Sequence, residues 1–169
     1  MKVERLQDAS SQDLHELAAV LMDCVEGGAS IGFMQPLPID KALAFWRRVA
    51  DSAARNERAL LVLRDAQGIV GTVQVVWDLP ENQPHRADIA KMQVHRRGRR
   101  QGYGADLMKA AEDVAREEGK TLLVLDTASD TAERLYARLG WQPCGVIPGF
   151  ALLPRGGLCA TTYMYRVLG

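Results

Sequence analysis

Cysteine is scarce in this chain: Cys24, Cys144 and Cys159 are odd in number and show neither C-x-x-C nor Cys/His spacing. That excludes a disulfide framework and a zinc site of recognisable spacing, so all three are read as reduced and structural, and no metal is expected. Histidine is equally sparse. His15 falls on a helix, His85 in a Pro-flanked loop and His95 beside an arginine turn, and none is given a catalytic role. An excess of one charge is absent too: 21 Lys and Arg balance 21 Asp and Glu, leaving no global field to concentrate a polyanion. Nucleic acid is therefore not an expected partner. No apolar run approaches the ~18 residues that a membrane span needs, and the charged opening Met1 to Asp8 has no apolar signal region. A cytoplasmic protein without membrane contact is expected.

What is present suits one domain spanning residues 1–169, enough chain to bury roughly 70% of its unfolded surface. Residues 2–7 read as a strand, and Ser10 or Ser11 caps a helix with Leu14, Leu17, Ala18, Leu21 and Met22 at helical spacing. Gly27-Gly28 ends it. A second helix runs from Pro38 to about Asn56, followed by a hairpin turning at Asp65 to Gly68. Ala87 to Val94 alternates as a strand, and a helix from about Gly102 to Glu118 buries Leu107, Met108, Ala111, Val114 and Ala115. The continuous apolar run Thr121 to Leu125 predicts a strand covered on both faces. Asp130 with Glu133 predicts a capping box for a short helix, and two more strands meet across Pro154 to Gly157.

Chemistry concentrates where the fourth strand gives way to a helix, in Val94-His95-Arg96-Arg97-Gly98-Arg99-Arg100-Gln101-Gly102-Tyr103-Gly104-Ala105. Glycines there let successive N–H groups converge at the positive end of a helix dipole, which makes a phosphate cradle, and the arginines add counter-charge. A P-loop is excluded because no Gly-Lys-Ser/Thr occurs, and a dinucleotide fingerprint because Leu107 stands three residues beyond Gly104. R-x-x-G-x-G remains, matched by Arg99, Gly102 and Gly104.

That pattern resembles the pyrophosphate-binding signature of the GCN5-related N-acetyltransferases. Ala132-x-x-x-Tyr136-x-x-Leu139-Gly140-Trp141 is similar to the same family's A-x-x-x-Y-x-x-x-G-F segment, with Trp for Phe. The element order fits that fold over nearly the whole chain. Gly27 to Met34, Arg86 to Val94, Leu125 to Thr127 and Pro148 to Phe150 look like its tabtoxin-resistance branch, which N-acetylates an amino-acid-like β-lactam. The resemblance implies an α/β acyltransferase fold: a mixed, mostly antiparallel sheet, splayed in the middle and flanked by about four helices. It implies acetyl-CoA as cosubstrate, with Arg99, Arg100, Gln101, Gly102, Tyr103, Gly104 and Ala105 at its pyrophosphate and Met92, Gln93, Val94 and Ser129 along its pantetheine arm. Ser129 departs from the family's common Asn, and Arg100 from its frequent Gly.

Tyr136 would give a proton to the departing thiolate. Asp88 and Asp126, in neighbouring strands, are candidate bases or ammonium holders, with pairing of Asp88 to Arg86 the structural alternative. Two carboxylates in one desolvated cleft would raise each other's proton affinity. Gly28, Ala29, Ser30, Ile31, Phe33 and Met34 are expected to wall the amine pocket, against the alternative that they staple two helices together. The reading is acetyl transfer to a primary amine of a small amino-acid-like molecule, by direct attack in a ternary complex. A protein N-terminus or polyamine as acceptor, a coenzyme-A-binding sensor without turnover and an RNA-associated protein stand as alternatives; a homodimer stays open.

Overall fold

The computed structural model describes residues 1–169. Its elements are β1 (Val3–Leu6), α1 (Ser11–Glu26), α2 (Ile39–Ala54), β2 (Arg58–Asp65), β3 (Gly68–Val76), β4 (Arg86–Val94), α3 (Tyr103–Glu117), β5 (Leu122–Thr127), α4 (Asp130–Arg138), β6 (Gln142–Leu152) and β7 (Leu158–Val167). They form one seven-stranded sheet ordered β1-β2-β3-β4-β5-β7-β6. Every pairing is antiparallel except β4 with β5.

The strands separate two cores because their side chains alternate between faces. Leu60 and Val62 of β2 join a core under α1 and α2 with Leu17, Leu21 and Trp46, whereas Leu61 and Leu63 join one under α3 and α4 with Leu107, Met108 and Leu123. The stripe expected on α3 is buried, with Val114 only partly so. α1 begins with a reciprocal box in which Ser10 Oγ accepts from Asp13 N and an Asp13 carboxylate oxygen accepts from Ser10 N. α4 differs from expectation: its cap is Ser129, whose Oγ accepts from Ala132 N at 3.2 Å, while Glu133 accepts from the Thr162 hydroxyl instead of closing a box with Asp130. β5 also differs, since Leu123 and Leu125 are buried on the α3 side but Asp126 on the opposite face is exposed. That opposite face lines a cleft.

The cleft arises from how β4 pairs. Against β5 it holds register only at Arg86/Leu122, Ala87/Leu123 and Asp88/Val124. Beyond those pairs β5 stays on β7 as far as Thr127 and β4 stays on β3 as far as Val94, so the two middle strands part. Between the pairs Gln74/Ala90 and Thr72/Gln93, β3 supplies Val73 alone while β4 supplies Lys91 and Met92. This is a β-bulge, with Lys91 at a φ of +52°, and a bulged strand bends away from its former course. The remaining edge strand, β6, leaves Val146, Ile147 and Phe150 exposed.

Candidate active site

At the end of β4 a short 3₁₀ turn, Arg96–Gly98, leads into α3. Gly98 is buried, and a Cβ there would lie 2.5 Å from Val70 Cγ2 and 2.9 Å from the Tyr103 ring, so its smallness lets the turn pack against β3. Arg100 and Gly102 then take left-handed φ values of +60° and +82°. As a result the amides of Arg100, Gln101, Gly102, Tyr103, Gly104 and Ala105 donate no hydrogen bond within the protein. Free donors in series at a helix N-terminus make an anion site, and nothing lies within 4 Å of where a Gly102 Cβ would stand.

The arginines are less uniform than the sequence suggests. Arg96 is spent on Asp23 and Glu26 of α1, and Arg97 on Asp65 at 2.8 Å and the Ile69 carbonyl at 2.8 Å. These pairs fasten the turn to α1 and to the β2–β3 hairpin, so they do not serve as counter-charge. Arg99 lies against the C-terminal end of α1, its Nη2 3.5 Å from where a Gly27 Cβ would be, and Arg100 is exposed. Gly104, whose amide is one of these free donors, has a packing role besides. A Cβ on it would stand 2.9 Å from Leu135 Cδ2, so Gly104 permits α3 to approach α4, and Gly102 borders the open space.

Tyr136 lies on the α3–α4 side of the sheet, 5% exposed and 6.1 Å from Trp141 between ring centroids. Burial holds its phenol well above the ordinary tyrosine pKa, so it stays protonated. Ser129 spends its oxygen lone pair on the α4 cap and keeps its hydroxyl proton free.

By strand alternation Asp88 and Asp126 both face the α1–α2 side, with Asp126 two residues beyond the partner of Asp88. Each carboxylate has a partner of its own. Asp88 is bound by Arg86, and Asp126 accepts from the Thr161 hydroxyl at 2.7 Å. Opposite them runs the segment between α1 and α2, whose residues alternate. Ala29, Ile31 and Phe33 pack on the α1–α2 core, with Phe33 edge-on to Phe45 at 5.1 Å. Gly28 and Gly32 both turn at a φ of +91°. Ser30 accepts from Cys159 Sγ at 3.5 Å, and Met34 is exposed. Ile31 and Phe33 thus carry out the stapling alternative, while Ser30 and Gly32 face the strands. Gln35 N donates to Pro154 O at 2.9 Å, tying the segment to the β6–β7 turn.

Sequence reasoning placed Gln93 on the pantetheine arm for its backbone and passed over its side chain, and it missed Lys91 altogether. Gln93 is 3% exposed, and neither end of its amide side chain has a partner. Lys91 projects from the bulge, and its Nζ lies 3.5 Å from where a Gly32 Cβ would be. Burial lowers its pKa, a shift that the Asp126 carboxylate opposes. Burial also pushes the Cys24 thiol up to about 11, which leaves it inert. No cluster of His, Cys, Asp or Glu is disposed to hold a metal, and no helix is long and apolar enough to cross a membrane.

A mixed sheet that opens between two parallel strands beside an amide-lined helix start is the architecture of an acyl-CoA N-acyltransferase. The sequence model of the acetyltransferase (GNAT) family matches residues 14–141, so the chain belongs to that family. It is an acetyl-CoA-dependent N-acetyltransferase. A protein of Azospirillum brasilense described as an uncharacterized N-acetyltransferase in the hisH-hisA intergenic region is 31% identical over 126 residues, 73% of each chain. Among solved structures, a ribosomal-protein-alanine N-acetyltransferase from Brucella melitensis superposes with a TM-score of 0.84 at 21% identity, covering 99% of this chain and 100% of that one. A phosphinothricin acetyltransferase from Sinorhizobium meliloti in complex with acetyl-CoA gives 0.78 at 16% identity, covering 100% and 90%. At such identities these structures speak for the fold alone.

Proposed function

We propose that the enzyme transfers acetyl from acetyl-CoA to the primary amine of a small, amino-acid-like molecule, by direct attack within a ternary complex. The observation that carries this reading is the single slot formed by the partnerless edge of β4 past Asp88 and the undonated amides from Arg100 to Ala105. An extended pantetheine can add to that edge as a strand would, with its pyrophosphate on the amides.

The residues divide the work across the sheet. On the α1–α2 side, Asp126 holds the incoming ammonium and directs its proton away, because only the free amine carries a lone pair for the thioester carbon. Backbone N–H near Gln93 or Val94 polarises the carbonyl. The new C–N bond forms as the C–S bond breaks, the sulfur leaves as thiolate and takes a proton from Tyr136 on the other side, and the second proton of the attacking nitrogen leaves to give the neutral amide and restores the phenol. The net products are the acetamide, free coenzyme A thiol and the proton released by the ammonium. Direct attack is supported by the inertness of Cys24 and by the lack of a base hydrogen-bonded to Cys144 or Cys159.

Initial rates with both substrates varied, together with the intact mass of the enzyme after acetyl-CoA alone, test the order of events. Intersecting lines and an unmodified enzyme are expected. Parallel lines with a stoichiometric acetyl-enzyme would replace direct attack by a two-step route.

A further inference from the structure

Lys91 presents a physical problem that the reaction as derived leaves unsolved. An amine acetyltransferase must attract a cation, yet this site carries a largely buried ammonium that enters none of the ion pairs or side-chain hydrogen bonds of the fold. A buried charge without a partner is costly, and it repels the ammonium the site has to admit. The placement is also not incidental. The β-bulge puts Lys91 at a φ of +52°, uncommon for a residue with a side chain, and swings Nζ across to the backbone turn at Gly32. Without that bulge, strand alternation would turn Lys91 to the α3–α4 side, because its neighbour Ala90 shares a face with Gln74 and Leu60. Asp126 stands on the same side of the cleft, within electrostatic reach of Lys91 yet occupied by the Thr161 hydroxyl instead of by the lysine. A cation and an anion are thus held apart across one opening.

We propose that Lys91 is the carboxylate-recognition group of the amine site, so that the acceptor is an amino acid with a free carboxylate, its acid group on Lys91 Nζ and its ammonium toward Asp126. The proposal rests on the reading of this cleft as the acetyl-acceptor site and narrows it. A zwitterion supplies the missing anion to Lys91 and brings a cation to Asp126, so both charges are matched by one ligand. A polyamine or a peptide N-terminus brings positive charge beside Lys91 with nothing to neutralise it, and is disfavoured at the same position.

The test uses the twenty common amino acids, their carboxamides and their decarboxylated amines as acceptors, with saturating acetyl-CoA, on wild type, Lys91→Met and Lys91→Arg. For whichever side chain is accepted, wild type should favour the free acid over its carboxamide by about 10-fold or more in kcat/KM, since a site built for a polar group rejects the analogue that lacks it. Lys91→Met should bring that ratio close to unity, with acetyl-CoA affinity retained, and Lys91→Arg should restore most of it. A merely structural lysine would lower every rate and leave the acid-to-amide ratio unchanged. Wild type that uses acid and amide equally, or Lys91→Met that keeps the preference, overturns the assignment while leaving acetyl transfer in place. If no amine of any kind is acetylated, the acceptor-site reading itself fails.

Discussion

Gly102 allows the phosphate cradle to be tested apart from the stability of the fold. At a φ of +82° any residue with a Cβ is strained, and Gly102→Ala should cost about 1–2 kcal/mol for holding a left-handed conformation. Because nothing in the protein lies within 4 Å of the added methyl, no clash adds to that figure. For a domain of this size the melting temperature should fall by roughly 2–8 °C, leaving the protein folded at 25 °C. The methyl enters the space bordered by the free amides. Displacing one phosphate oxygen from one charge-assisted hydrogen bond forfeits about 1.5–3 kcal/mol, so coenzyme A should bind roughly 10- to 150-fold more weakly. Calorimetry with coenzyme A and with pantetheine, which lacks the pyrophosphate, separates the two effects: only the first ligand should lose affinity. Gly104→Ala is the contrasting variant, since its Cβ meets Leu135 at 2.9 Å and should cost about 1–3 kcal/mol of stability by overpacking α3 against α4. A folded Gly102→Ala protein that binds coenzyme A as wild type does would refute the cradle.

Three further outcomes follow from the same geometry. Tyr136→Phe keeps the packing against Trp141 and removes the hydroxyl; turnover should fall by up to about 10²-fold with unchanged thermal stability, whereas a wild-type rate under rate-limiting chemistry would make the residue core only. Asp126→Asn should lower kcat/KM for the amine by about 10²-fold or more with acetyl-CoA binding intact, and Asp88→Asn, which loses an ion pair to Arg86, should lower it far less; the reverse order in steady-state assays would exchange their roles. His95 accepts from Arg97 N at 3.1 Å through Nδ1, and burial, reinforced by Arg97, Arg96 and Arg99, lowers its pKa against the pull of Asp23. Its contribution to stability is therefore complete above the unfolded value of about 6.5 and drains as pH falls toward the lower folded value, so melting temperatures of wild type should drop over that interval more than those of His95→Asn.

The order of elements and the motif at the start of α3 were legible in the sequence because both rest on local patterns: helical spacing, a tight turn, glycines beside a helix. The roles of single residues inside that motif were not, because they depend on distant chain. Arg97 reads as a phosphate ligand until β2 brings Asp65 to it, and Gly104 reads as a cradle glycine alone until α4 brings Leu135 to it as well. Lys91 carried no signal at all, since a bulge is visible only as a mismatch between two strands and Ala87 to Val94 alternates well enough to pass for a regular one. The capping of α4 shifted by one residue from Asp130 to Ser129 because both can cap and the strand before it decides which residue is extended. The segment from Gly28 to Met34 was seen as a pocket wall from its composition, but only the alternation of its buried residues tells Ser30 and Gly32 from Ile31 and Phe33.

The central claim is acetyl transfer to a small amine in the opening between β4 and β5. The most direct measurement is mass spectrometry of a broad mixture of amines and amino acids incubated with acetyl-CoA and either wild-type enzyme or Gly102→Ala at subsaturating acetyl-CoA. N-acetylated products that require wild-type enzyme and fall with the variant are expected. Products that form equally with both proteins, or coenzyme A release without any acetylated amine, would contradict the account.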